Sequence, residues 1–123
     1  MAEHLPDTNI FIAIFKGDAK LKTLIESCDS AINTIVYLEL IQGAKNKTDI
    51  NKIEKYLMQF ELIHFDKATS QRAIELVRNY SKSHGLMLPD AVVAATCLEN
   101  TLTLITFNNK DFRFINGLKA IQP

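Results

Sequence analysis

"HLPDTNIFIAIFK", residues 4–16, changes character at its fourth residue. Leu5 and Pro6 close a short apolar stretch of strand type. Asp7, Thr8 and Asn9 form a polar tip, and from Ile10 the apolar residues crowd into helical spacing. A strand that passes through a polar tip straight into a helix is the first half of a βαβ unit.

The same alternation continues along the chain. Strands are expected at 3–7, 30–34 ("SAINT"), 61–65 ("ELIHF"), 102–107 ("LTLITF") and 118–122 ("LKAIQ"). Helices are expected at 8–16, 19–28, 35–45, 48–60, 67–85 and 89–100, with a short helical turn at 109–115. Ala73, Leu76, Val77 and Tyr80 mark one stripe of the longest helix, and Gly85 is placed to end it. Strands separated by helices imply an α/β fold, a three-layer α/β/α sandwich with a mostly parallel central sheet. No repeat, low-complexity tract or linker divides the chain, so its 123 residues are expected to form a single domain, 1–123.

Composition narrows the function classes. Fourteen basic residues balance fourteen acidic ones, so net charge gives no hint of a polyanionic partner. No apolar run reaches the length of a membrane span, and the first residues lack a basic stretch followed by an apolar core, so a cytoplasmic protein is expected. Cys28 and Cys97 lack CxxC spacing and read as free thiols among apolar neighbours. His4, His64 and His84 lack metal-ligand spacing, and no HExxH, GxSxG or GxxxxGK[ST] stretch occurs.

What remains is a set of acids at the places where an open α/β sheet binds ligands, outside the carboxyl ends of its strands. "LPD" occurs twice, at 5–7 and 88–90, and each aspartate opens an apolar run. An aspartate at a helix start also reads as an N-cap, favoured by the helix dipole, with Pro89 suited to the first turn. Glu39 lies mid-helix between Leu38 and Leu40, with Gly43 one turn on. A charge there needs a partner, either a lysine of the following "AKNK" or something bound. "TFNNKDF" follows the fourth strand and brings Thr106, Asn108 and Asp111 to the same edge, though its composition also suits a plain turn. Gathered around one pocket, such carboxylates repel one another unless protonated or met by cations. An oxygen-only ligand set suits Mg²⁺ or Mn²⁺, ions that commonly take phosphate as a further ligand.

The pieces "DTNIFI", "VYLELIQGA", "LPDAVVAAT" and "LITFNNKDF", in that order and spanning nearly the whole chain, resemble PIN-domain ribonucleases, and among them the VapC-type toxins of toxin–antitoxin pairs. The resemblance implies an RNA-cleaving enzyme dependent on Mg²⁺ or Mn²⁺, a homodimer, and a small cognate antitoxin protein covering the groove. It assigns Asp7, Glu39, Asp90 and Asp111 as catalytic, with Asp7, Asp90 and Glu39 on the metal. Thr8, Asn9, Thr106 and Asn108 are supporting polar residues, and whether Asn108 or Asp111 completes the site stays open. Lys16, Lys20, Lys45, Lys110 and Arg113 flank the motifs as candidate phosphate contacts. Two other classes remain: a receiver-like Mg-binding signalling domain, which would draw its phosphorylatable aspartate from Asp66, and a non-catalytic PIN domain that only binds a partner.

Overall fold

The expected alternation of strands and helices can be followed through the computed structural model, which describes residues 2–123. Strands β1 (His4–Pro6), β2 (Ala31–Asn33), β3 (Glu61–Ile63), β4 (Thr103–Ile105) and β5 (Ala120–Ile121) alternate with helices α1 (Thr8–Phe15), α2 (Ala19–Ser27), α3 (Thr34–Gln42), α4 (Lys47–Leu57), α5 (Lys67–His84) and α6 (Leu88–Asn100). A 3₁₀ turn at Asn109–Asp111 stands where the short helical turn was expected. All the strand pairs are parallel: β2 with β3, β1 with β4, and β4 with β5. The isolated parallel bridge His4–Ser30 joins the two parts, giving the order β3-β2-β1-β4-β5.

That order places a topological switch at the centre. The chain builds outward from β1 to β3, returns, and builds outward again through β4 and β5. Connections therefore diverge from the carboxyl ends of β1 and β4, leaving a crevice there. Asp7 follows β1 and Thr106 follows β4 directly.

Pro6 sits in this central strand without disturbing it. The N–H of Asp7 donates to Ile105 O and that of Thr103 to Glu3 O, so the odd-numbered residues of β1 face β4. Even-numbered residues face β2, where His4 N–H donates to Asp29 O. Pro6 points to the β2 side after pairing with β2 has ended, so its missing donor has nothing to satisfy.

The core is assembled from Leu5, Ile32, Leu104 and Ile105 of the sheet, Ile10, Phe11 and Ile14 of α1, Val36 and Leu40 of α3, and Ala91, Val93, Ala94, Ala95 and Cys97 of α6. Each large aliphatic side chain so buried contributes roughly 1.5–3 kcal/mol relative to exposure. The small residues of α6 let that helix lie deep in the molecule. Cys97 is buried and Cys28 half-buried, both as free thiols. Not all of α1 is used: Ile12 and Phe15 remain 37% and 38% exposed, so the apolar surplus of "NIFIAIF" faces outward.

Helix starts follow local capping chemistry. Asp18, Asn33, Asn46 and Asp66 each accept a hydrogen bond from the backbone N–H three residues on. The Asn33 cap starts α3 at Thr34, one residue before the apolar spacing alone suggests. α5 ends as expected at Gly85, whose φ of +70° closes the helix with a left-handed turn. Arg72 on α5 pairs with Glu99 on α6 at 2.8 Å across the face these helices share.

Candidate active site

Asp7 occupies the N-cap position of α1 but does not cap it. Asp18 and Asp66, in the same position of their helices, both accept from the third residue's amide. That bond holds the Asp66 carboxyl below the usual carboxylate range. Asp7 instead leaves Oδ1 buried with no hydrogen-bond partner. Burial pushes its carboxyl above the ordinary range, with a smaller upward contribution from the charge of Glu39; the Thr106 hydroxyl and the backbone N–H groups of Ile10 and Asn9 oppose the shift. No cap bond closes here as it does at Asp18 and Asp66, so capping alone does not account for this residue.

Asp90 lies in the first turn of α6, which begins at Leu88 rather than Pro89, with Met87 as the N-cap residue and no side-chain cap. Its carboxyl is also raised, first by burial and then by the charges of Asp7, Asp111 and Glu39. Asp90 thus feels the charge of three other acids, and Asp7 that of Glu39. Glu39 makes no ion pair among the described residues, where the salt bridges are Lys22–Glu26 and Arg72–Glu99. It accepts instead a 2.7 Å hydrogen bond from the Thr8 hydroxyl to Oε1, which fixes the carboxylate of α3 against the tip of α1.

Asp7, Thr8, Asn9, Glu39 and Asp90 line one cleft of about 470 Å³, together with Ile12, Gln42, Gly43, Pro89 and Val93. Gly43 has φ −78°, so its backbone does not require glycine; what it contributes is a bare wall beside Glu39. Asp111 lies on the other side of Asp90, in a neighbouring recess with Lys110 and His84. Thr106 is buried and faces Asp7. Asn108 lines neither space: it is exposed, and its backbone N–H donates to the Thr106 hydroxyl at 3.2 Å, holding that side chain in place. Of the flanking cations, Lys16 and Lys45 line the groove on the far side of Glu39, beside Lys22 and Lys52, while Lys20 and Arg113 line none of these spaces.

A residue that sequence reading passed over ties the site's two sides. Asn33, read only as part of a strand, is fully buried; its Oδ1 accepts from Val36 N–H and its Nδ2 donates to the Thr96 hydroxyl on α6, both at 3.0 Å. Asparagine directly before a helical run is an N-cap signal and could have marked it. Asp66, the aspartate a receiver would phosphorylate, is committed to capping α5 and lines none of these spaces.

An oxygen-only set with a buried, unpartnered carboxylate oxygen fits a hard divalent cation. Among the described residues, no three acidic, histidine or cysteine side chains are drawn tightly enough to grip one ion as they stand.

Known proteins share this architecture. A ribonuclease VapC of Rickettsia bellii is 28% identical, the match covering 94% of this chain and 92% of that one. A chain of a toxin–antitoxin complex from Klebsiella pneumoniae superposes with a TM-score of 0.81 at 32% identity, over 97% of this chain and 96% of that one. A chain of VapBC2 from Rickettsia felis, solved bound to a DNA fragment from its promoter, superposes with a TM-score of 0.79 at 26% identity and 98% coverage of each. Residues 5–118 match the family model described as PIN domain, and a match over that much of the sequence, on a fold with its acids at the central switch of the sheet, makes this chain a member of the PIN domain family.

Proposed function

We propose that this chain is a metal-dependent endoribonuclease that hydrolyses RNA phosphodiester bonds, and that it is the toxin of a toxin–antitoxin pair. In this reading residues 1–123 act as a single domain in the cytoplasm, as a homodimer restrained by a small cognate antitoxin protein. The observation that carries the chemistry is the idle, buried Oδ1 of Asp7 beside Glu39 and Asp90. The names of the relatives support the RNA substrate and the pairing. No helix among the described residues is long and apolar enough to cross a membrane.

Asp7, Asp90 and Glu39 would hold Mg²⁺ or Mn²⁺, with Asp111 contributing from its side of Asp90. Such an ion supplies Lewis-acid charge for a phosphate oxygen and makes a bound water a stronger nucleophile. The chain's own part is placement. Asp7 presents an oxygen already stripped of water, so no solvent need be displaced from it when a ligand arrives. Thr8 holds one Glu39 oxygen and leaves the other free. Asn9, exposed at the helix tip, can donate to a phosphate oxygen without bringing charge. Lysines stand on both flanks of the acids, Lys16 and Lys45 beyond Glu39 and Lys110 beyond Asp90, so an RNA strand crossing the cleft meets positive charge on either side.

The test is cleavage of a structured RNA pool by purified, antitoxin-free protein with Mg²⁺, Mn²⁺ or EDTA. Cleavage with either ion and none in EDTA is expected; cleavage that persists in EDTA overturns the metal assignment. Thr8→Val is expected to retain the fold and lose roughly 10–100-fold in activity, the usual effect of removing a group that orients a metal ligand. Unchanged activity in this variant would remove Thr8 from the site.

A further inference from the structure

The recess on the Asp111 side of Asp90 contains rings that none of this chemistry uses. Its cavity of about 360 Å³ is lined by His84, Gly85, Leu86, Met87 and Phe114 besides Asp90, Lys110 and Asp111. His84 is the last residue of α5 and is exposed. Its imidazole nevertheless lies flat on Phe114, with ring centroids 4.3 Å apart and planes inclined by 14°. Tyr80 meets the imidazole edge-on at 5.7 Å and the Phe114 ring at 5.1 Å. The Ser83 hydroxyl sits 2.7 Å from Nδ1.

Three contacts thus immobilise a ring that solvent reaches, and a fourth, Tyr80 on Phe114, braces its backing. An exposed histidine left free would keep its rotamer entropy, and ordering it costs stability unless the contacts repay that cost. A ring already fixed loses little more freedom when a flat ligand stacks on it. Every nucleobase offers such a face, but in a duplex both faces are covered by neighbouring pairs, so only an unpaired base can use the ring. Lys110 lines the same recess and can meet the phosphate of that nucleotide.

We propose that His84, backed by Phe114 and Tyr80, is a stacking platform for one unpaired nucleobase of the RNA, next to the scissile phosphate, with Lys110 on that nucleotide's phosphate. The inference rests on the ribonuclease reading and deepens it, because it names the residues that hold a base beside the cut. Specificity for unpaired RNA then comes from stacking, while the acids carry the hydrolysis.

The test uses the full chain, free of antitoxin, and single-stranded RNA oligonucleotides carrying 2-aminopurine at successive positions, in EDTA so that the strand stays whole. Stacking is expected to quench fluorescence at one position next to the cut. His84→Ala is expected to abolish that quenching and weaken binding about tenfold. His84→Phe, which keeps a flat ring, restores both, whereas His84→Leu, which fills similar space without one, restores neither. In Mg²⁺, kcat/KM falls by the same factor as binding. Thermal unfolding checks that each variant is folded. Wild-type binding and quenching retained in His84→Ala would overturn the platform and leave the nuclease standing, provided cleavage still depends on Asp7. A wild-type protein that neither binds nor cuts RNA would overturn both.

Discussion

Asp7→Asn is expected to lower RNA cleavage by about a hundredfold to a thousandfold, the scale of losing one preorganised charge-stabilising group, while leaving the fold at least as stable as the parent in EDTA. The two halves of this expectation share one cause. In the absence of a cation the Asp7 carboxylate is a cost to the folded state: it is largely buried, Oδ1 has no partner, and the charge of Glu39 lies near. An amide of the same shape removes that charge and keeps the volume. Once a cation is present the sign reverses, because the oxygen that was a cost becomes a ligand. Mn²⁺ at a hundred times its Kd is therefore expected to stabilise the parent by about 2.7 kcal/mol and Asp7→Asn by much less. Thermal unfolding with and without Mn²⁺ measures this apart from any RNA. Full cleavage by the variant, or an equal metal-induced stabilisation, would displace Asp7 from the centre of the site.

This reversal was not legible in the sequence. Asp7, Asp18 and Asp66 all directly precede helical runs, so nothing local separates them. Only the assembled fold separates them: Asp18 and Asp66 bond their helices, while Asp7 is held at the crevice by the β1–β4 pairing, with Thr106 beside it. The alternation of strand and helix was legible because burial on both sides of a sheet imposes local periodicities that a short window reveals. The strand order was not. It depends on which apolar faces meet across the whole chain, and it is the order that makes the end of β1 a binding edge. The partnership of Thr8 with Glu39 spans 31 residues and leaves no local trace. Resemblance to a family brought Asp7, Glu39 and Asp90 together on paper, but it could not say that Asp111 stands on the far side of Asp90, or that Asn108 serves the turn. His84 offered no metal-ligand spacing, and its stack joins the end of α5 to Phe114 in the turn that follows Asn109–Asp111, 30 residues on.

The second large effect is expected at Asn33, which touches none of these acids through a hydrogen bond and yet sets the frame that carries two of them. Its side chain is wholly buried and uses both ends, the carbonyl on the α3 start and the amide on Thr96 of α6. Thr96 in turn donates to Val92 O at 2.8 Å, so a short polar chain links the helix bearing Glu39 to the helix bearing Asp90 through the interior. Asn33→Ala removes the cap and so leaves Val36 N–H without a partner in a site water does not reach, about 1–3 kcal/mol, and it also deletes the bond to Thr96, about 0.5–1.5 kcal/mol more. A loss of about 3 kcal/mol in total is expected, lowering Tm by roughly 10 °C in a domain of this size. Asn33→Ser divides the two bonds: a serine hydroxyl caps about as well as asparagine but is too short to reach Thr96, so it should recover roughly the cap's 1 kcal/mol or more. Urea unfolding of the three proteins measures both steps. A loss under about 1 kcal/mol in Asn33→Ala, the range of ordinary surface changes, would mean that α3 and α6 are held together by apolar packing alone.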